Sequence, residues 1–386
     1  MGRLGTESAF AVLAQAQALE RTGRKVVHLE IGEPDFATPA HIVEAAEAGL
    51  RAGHTHYVPA PGTVRLREAV SAFLERTGRL SVAPDRVVVT PGAKPIMFYT
   101  MLALCEEGDE VMYPDPGFPM YESIARFTGA VPVPVPLRER NEFRVDPEEV
   151  ERLVTPRTKL LIINSPHNPC GSALTRSDCE AIAEIAIRHD LTVLSDEVYW
   201  ATRYDGKHVS VLDVDGMVDR TVLLDGWSKA FAMTGWRLGF GVLPPDLVEP
   251  VTRLVVNSVS CTSAFSQDAA VAALEGPWQP TEDMVAEFRA RRDVIVEGLN
   301  KIPGITCATP AGAFYVFPNA KPLGLPSSVL AARLLDEAGV ACLSGTAFGP
   351  CGEGYIRLSY ANSVENIETA LGLIAEFCNG AGLSPA

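Results

Sequence analysis

Short apolar runs alternate with stretches of helical spacing through most of this chain. Val87-Val88-Val89-Thr90 precedes a helical stretch over 94–105, and further β-rich runs cover 110–113, 131–135 and 160–164. A helix expected over 175–189 leads into Thr192-Val193-Leu194-Ser195-Asp196, and runs at 221–224 and 238–243 complete the series. Strands alternating with helices imply a mainly parallel sheet covered on both faces, which binds ligands beyond the carboxyl ends of its strands. Pro132, Pro134 and Pro136 make the 131–135 run irregular or near an edge, because proline cannot donate to a sheet ladder.

After about Glu282 the pattern changes. A charged helix over 284–299 leads to Gly312-Ala313-Phe314-Tyr315-Val316-Phe317, then a helix over 328–338 and a strand over 355–360. Asn362, with Glu365 three residues on, suits the cap of a last helix. The fold class is therefore α/β: a large sheet domain over 45–283 and a smaller α+β domain built from 1–44 plus 284–386. No long linker separates them, so the two share an interface.

With 386 residues, 47% of them hydrophobic, the chain can bury a large core and split into two domains. The net charge of −15 leaves no basic stripe for nucleic acid. Eight cysteines occur, none in a C-x-x-C pair, which argues against zinc or another metal and for a reducing compartment. No apolar run approaches a membrane span and no signal segment opens the chain, so the cytoplasm is expected. Met1-Gly2-Arg3-Leu4-Gly5-Thr6 fits the loose myristoylation pattern, but no polybasic patch follows to supply a second anchor.

The chemistry concentrates in Ser228-Lys229-Ala230-Phe231-Ala232-Met233-Thr234-Gly235-Trp236-Arg237. A lysine held in a partly buried turn can lose its proton and form a Schiff base with an aldehyde. The Ser228 hydroxyl and the Arg237 guanidinium can both hold a phosphate. Together they describe a pocket for pyridoxal 5′-phosphate. Asp196, at the carboxyl end of its run, fits a partner for the cofactor's pyridine nitrogen, although capping or surface exposure would suit an aspartate there equally well. Asn168 follows another strand in a Pro/Gly-rich turn, and Tyr199 lies three residues after Asp196. Both can donate to the cofactor's phenolic oxygen.

The lysine segment resembles the cofactor-attachment signature of the class I/II aminotransferases, which are fold-type-I pyridoxal phosphate enzymes. The resemblance runs from about Leu29 to Tyr360, with its motifs in the family's order. It implies that the amides of Ala93 and Lys94 seat the phosphate at a helix start, and that Phe118 stacks on the pyridine ring. It also implies that Arg357 grips the α-carboxylate while Gly32 closes over it. Tyr57 resembles the tyrosine that reaches a neighbouring subunit's phosphate, which implies a homodimer with shared sites. Cys170 stands where the family commonly has threonine.

The expected activity is transfer of an amino group between an L-amino acid and a 2-oxo acid, in two alternating half-reactions through the Lys229 Schiff base. Catalytic roles fall to Lys229, Asp196 and Tyr199. A C–S β-lyase or an aminocyclopropanecarboxylate synthase would use the same pocket, and would be told apart by its products. Thr6, Ser8 and Phe10 in the N-terminal segment offer no cation, which leads us to expect a neutral or aromatic side chain on one substrate.

Overall fold

The computed structural model describes residues 4–6 and 8–380. Its strands, in chain order, are β1 (Val27–His28), β2 (Val87–Thr90), β3 (Glu110–Asp115), β4 (Val131–Pro136), β5 (Thr158–Asn164) and β6 (Thr192–Asp196). They continue with β7 (Thr221–Gly226), β8 (Gly239–Val242), β9 (Tyr315–Val316), β10 (Val340–Ala341), β11 (Leu343–Ser344) and β12 (Ile356–Ser359). Seven of them form one sheet in the order β2-β8-β7-β6-β5-β3-β4. Strands β3 to β7 pair in parallel, and β8 runs antiparallel to both its neighbours.

The apolar runs work because side chains alternate between faces. Val88, Val111, Leu160, Ile162, Leu194 and Val222 pack under helices Lys94–Leu104, Met120–Thr128 and Pro245–Ser258. Val87, Val89 and Leu223 face helices Val64–Arg76 and Ala264–Glu275, while Leu161 and Val193 face Arg176–Arg188. Both faces are covered, so every residue of β3 and β7 is buried. Truncating one such side chain, as in Leu194→Ala, should cost about 2–5 kcal/mol. The proline-rich β4 lies at the edge, as its composition predicts. Helix Arg176–Arg188 starts at a reciprocal cap: Thr175 Oγ1 accepts from the Asp178 amide, and Asp178 Oδ2 accepts from the Thr175 amide.

The C-terminal part follows the expected order with different details. Helix Gln279–Leu299 starts earlier than predicted, and only Tyr315–Val316 of the 312–317 run is strand. Ala313 interrupts that run with φ 58°, its carbonyl held by Tyr204 and Tyr360 hydroxyls. The 328–338 helix begins at Ser327 and relaxes into a wider turn over Leu334–Ala338 before Gly339. Helix Val364–Gly380 is capped by Ser363, whose Oγ accepts from the Asn366 amide, and not by Asn362. Asn362 instead donates to the His28 carbonyl. These elements and helix Gln279–Leu299 enclose a core of their own around Phe288, Phe314 and Tyr360.

Among the described residues no helix is long and apolar enough to cross a membrane. Met1, Gly2 and Arg3 of the myristoylation pattern lie outside them.

Candidate active site

A cavity of about 470 Å³ opens beyond the carboxyl ends of the parallel strands, against the C-terminal core. Every candidate cofactor, substrate or catalytic residue read from the sequence lines it except Tyr57; of the N-terminal residues, Phe10 lines it and Thr6 and Ser8 do not. Tyr57 is 88% exposed and lies in a separate pocket with His56 and Phe265.

Lys229 sits in the four-residue helix Trp227–Ala230 directly after β7, and its Nζ donates to the Gly32 carbonyl at 2.5 Å. The Tyr199 and Phe314 rings flank the ammonium at 5.9 and 5.6 Å. Gly32 has no room for a side chain, because a Cβ would fall 2.1 Å from the Tyr315 hydroxyl. The segment from Glu30 to Gly32 therefore touches both ends of the site, since the Glu30 carbonyl also accepts from Arg357.

The anion seat joins two turns. β8 brings Gly239 against the Gly92–Ala93 turn that precedes helix Lys94–Leu104. Gly92 holds φ 88°, and a Cβ there would lie 2.2 Å from Arg237 Nη2. The guanidinium thus lies over a glycine at the start of a helix, with Ser228 on the same cavity wall. Arg237 Nη1 donates to the Thr234 carbonyl at 2.8 Å. Backbone amides of a helix start, a hydroxyl and a guanidinium suit a phosphate group.

Asp196 ends β6 and is buried. Its hydrogen-bond donors are the Tyr121 hydroxyl at 2.7 Å and the Val198 amide at 3.4 Å, and neither carries charge. Burial pushes the carboxyl up to about 7, only partly offset by those two donors. A cation such as a protonated ring nitrogen is what this carboxylate lacks. The donor set therefore fits the cofactor: an amine for the aldehyde, a seat for the phosphate and a buried acid for the ring.

Arg357 lies in β12 and is 4% exposed. Its Nη1 donates to Asn168 Oδ1 at 3.3 Å, and its guanidinium lies 4.5 Å from the Tyr315 ring centre. With Oδ1 turned to Arg357, Asn168 keeps its amide nitrogen as a donor. Asn164 locks the Asn168 loop by accepting from its backbone amide at 2.8 Å and donating to the Asp196 carbonyl at 2.9 Å. The Phe118 ring packs edge-on to Tyr121, with Lys94 Nζ 5.3 Å from its centre. The side chain of Lys94, whose backbone alone was singled out, is thus a wall of the site as well. Sequence reasoning also missed Tyr121, Asn164, Thr234 and the hydroxyl of Tyr315. Tyr121 carried a faint signal, being three residues from Phe118 at helical spacing.

The family profile "Aminotransferase class I and II" matches residues 24–374. The chain is 42% identical to aromatic-amino-acid aminotransferase 2 of Thermococcus litoralis over 90% of each protein. It is 43% identical to an aspartate aminotransferase of Pyrococcus abyssi, again over 90% of each. The structure matches an aspartate aminotransferase from Thermus thermophilus, solved with maleate, with a TM-score of 0.92, 38% identity and 97% coverage of both chains. The chain belongs to the class I and II aminotransferases: it has the fold-type-I architecture and is a pyridoxal phosphate-dependent aminotransferase acting on amino and 2-oxo acids.

Proposed function

With that membership as premise, we propose how this chain's residues divide the work. The reading is carried by the convergence of Lys229, Asp196 and Arg357 on one cavity. The cofactor, when bound, supplies an aldehyde that accepts the amino group and a ring that draws electrons from the substrate Cα. Lys229 would hold the cofactor through its aldehyde, and its amine, when free, would take the proton from the substrate Cα as general base. Asp196 keeps the ring nitrogen protonated. Tyr199 and Asn168 donate to the phenolic oxygen. Ser228, Arg237 and the amides of Ala93 and Lys94 hold the phosphate, and Phe118 lies against the ring. Arg357 binds the α-carboxylate through its planar fork, and the Gly32 segment closes over it.

Domains dividing at 45–283 and at 1–44 plus 284–386 belong to the same reading, with helix Gln279–Leu299 crossing the division. So does a homodimer in which Tyr57 of each copy reaches the other copy's phosphate. Its support is an aromatic side chain left 88% exposed, in a segment between two helices that expose Leu50 and Val64. The cytoplasm is the proposed compartment, on eight free cysteines.

The test is direct. Protein supplied with pyridoxal phosphate should turn yellow, and Lys229→Ala should lose both the colour and all turnover. A panel of aspartate, phenylalanine, tyrosine and a basic amino acid against 2-oxoglutarate and pyruvate should show ping-pong kinetics. Release of pyruvate and ammonia without an acceptor would sink the transfer reading. Sedimentation of the loaded protein as a monomer would remove the shared site.

A further inference from the structure

Tyr315 is 1% exposed, yet its hydroxyl sits among the groups assigned to cofactor and substrate. It lies 2.7 Å from the Tyr199 hydroxyl. Its ring underlies the Arg357 guanidinium, and its oxygen fills the space that a side chain at Gly32 would take. The turn that presents it is anchored on both sides. Tyr204 and Tyr360 hold the Ala313 carbonyl, and the amides of Ala311 and Gly312 both donate to Gly171, in the loop that carries Asn168.

Two phenols at 2.7 Å share one hydrogen. If Tyr199 spends its own hydrogen on the cofactor's phenolic oxygen, Tyr315 must supply the one between them. We propose that Tyr315 is a positioning residue for the reaction: it donates to Tyr199 and so commits the Tyr199 hydrogen to the cofactor. A phenol that accepts a hydrogen bond while donating another is the stronger donor, because each bond polarises the next. Tyr315 also supports Arg357, so it ties substrate capture to the state of the cofactor's oxygen. This inference rests on the assignment of Tyr199 to that oxygen.

The test follows the colour of the loaded protein with pH, because a hydrogen bond to the phenolic oxygen would lower the midpoint at which the imine loses its proton. Tyr315→Phe keeps the ring under Arg357 and removes only the hydroxyl. We expect its midpoint to rise by about half a pH unit and its dissociation constant for pyridoxal phosphate to rise about fivefold. KM for the amino acid should change less than kcat. Placing 3-fluorotyrosine at 315, a better donor of nearly the same shape, should lower the midpoint instead and does not depend on Phe folding correctly. In a Tyr199→Phe background, Tyr315→Phe should have no further effect on the midpoint. If Tyr199→Phe moves the midpoint and neither change at 315 does, the relay is wrong while the Tyr199 assignment survives. If Tyr199→Phe leaves it unmoved, both fall. A rise in KM alone would also overturn the relay and leave Tyr315 as support for Arg357 only.

Discussion

Asp196 and Glu197 are neighbours in the chain and opposites in chemistry. Asp196 meets one neutral hydroxyl and one amide, and burial pushes its carboxyl up to about 7. Burial acts on Glu197 too, but His208 and Arg79 overcome it and hold that carboxyl down at about 2. Glu197 Oε2 faces Arg79 at 2.9 Å and His208 at 2.8 Å, while its Oε1 accepts from Ser195 and Ser210. Arg79 binds Asp225 at 2.6 Å as well and stacks 4.2 Å from the Trp200 ring. Glu197 is satisfied by the fold itself. Asp196 has no cation among its described partners. The same residue class at the same strand end thus serves the scaffold on one side and, by the proposed assignment, chemistry on the other.

That contrast can be broken by substitution. Asp196→Asn should lower kcat/KM by about 10²–10³, in line with losing one preorganised electrostatic partner of the reacting group. Its melting temperature without cofactor should stay level or rise, and a fall of more than a few degrees would mean that Asp196 is structural after all. Glu197→Ala should do the reverse. Leaving Arg79 and His208 buried without it should cost about 3–5 kcal/mol in chemical denaturation. The fraction that remains folded should keep kcat within about tenfold, measured on soluble protein titrated for bound cofactor.

The pH dependence separates the pair further. Asp196 holds its proton more tightly in the folded chain than unfolded, so cofactor-free protein should lose stability as pH rises from about 4 to about 7. Asp196→Asn should flatten that slope. Glu197 binds its proton less tightly when folded, so its contribution is complete above about 4.5 and is lost as pH falls toward about 2. Denaturation curves at several pH values would show the two windows, and Glu197→Gln should erase only the acid one. The smallest effect belongs to Ser210→Ala, which removes one of several bonds to Glu197 and should cost about 0.5–1.5 kcal/mol.

Local motifs made Lys229, Arg237 and the strand ends legible in the sequence, because their meaning lies within a dozen residues. The choice between Asp196 and Glu197 was not local. Tyr121 lies 75 positions from Asp196, and Arg79 lies 118 from Glu197. Apolar runs predicted the large sheet well, since buried parallel strands need continuous hydrophobicity. Periodicity left the 312–317 run without an assignment; only Tyr315–Val316 is strand, because the Tyr204 and Tyr360 hydroxyls hold the Ala313 carbonyl from far along the chain. Asn362 looked like a cap by type, but its neighbour Ser363 has the position. Tyr57 could be singled out only by resemblance, because its proposed partner lies on another copy.

The antiparallel strand β8 carries a consequence for how the molecule is made. Among the described residues β2 has β8 as its only neighbour in the sheet, with Thr90 opposite Gly239. During synthesis β2 must therefore leave the ribosome and wait, without a strand partner, until well over a hundred further residues have followed. The insertion that pairs it also brings Gly239 against the Gly92–Ala93 turn. In the proposed assignment the phosphate seat is complete only once β8 has inserted, so a nascent chain would gain its grip on the cofactor late, after most of the large sheet has been made.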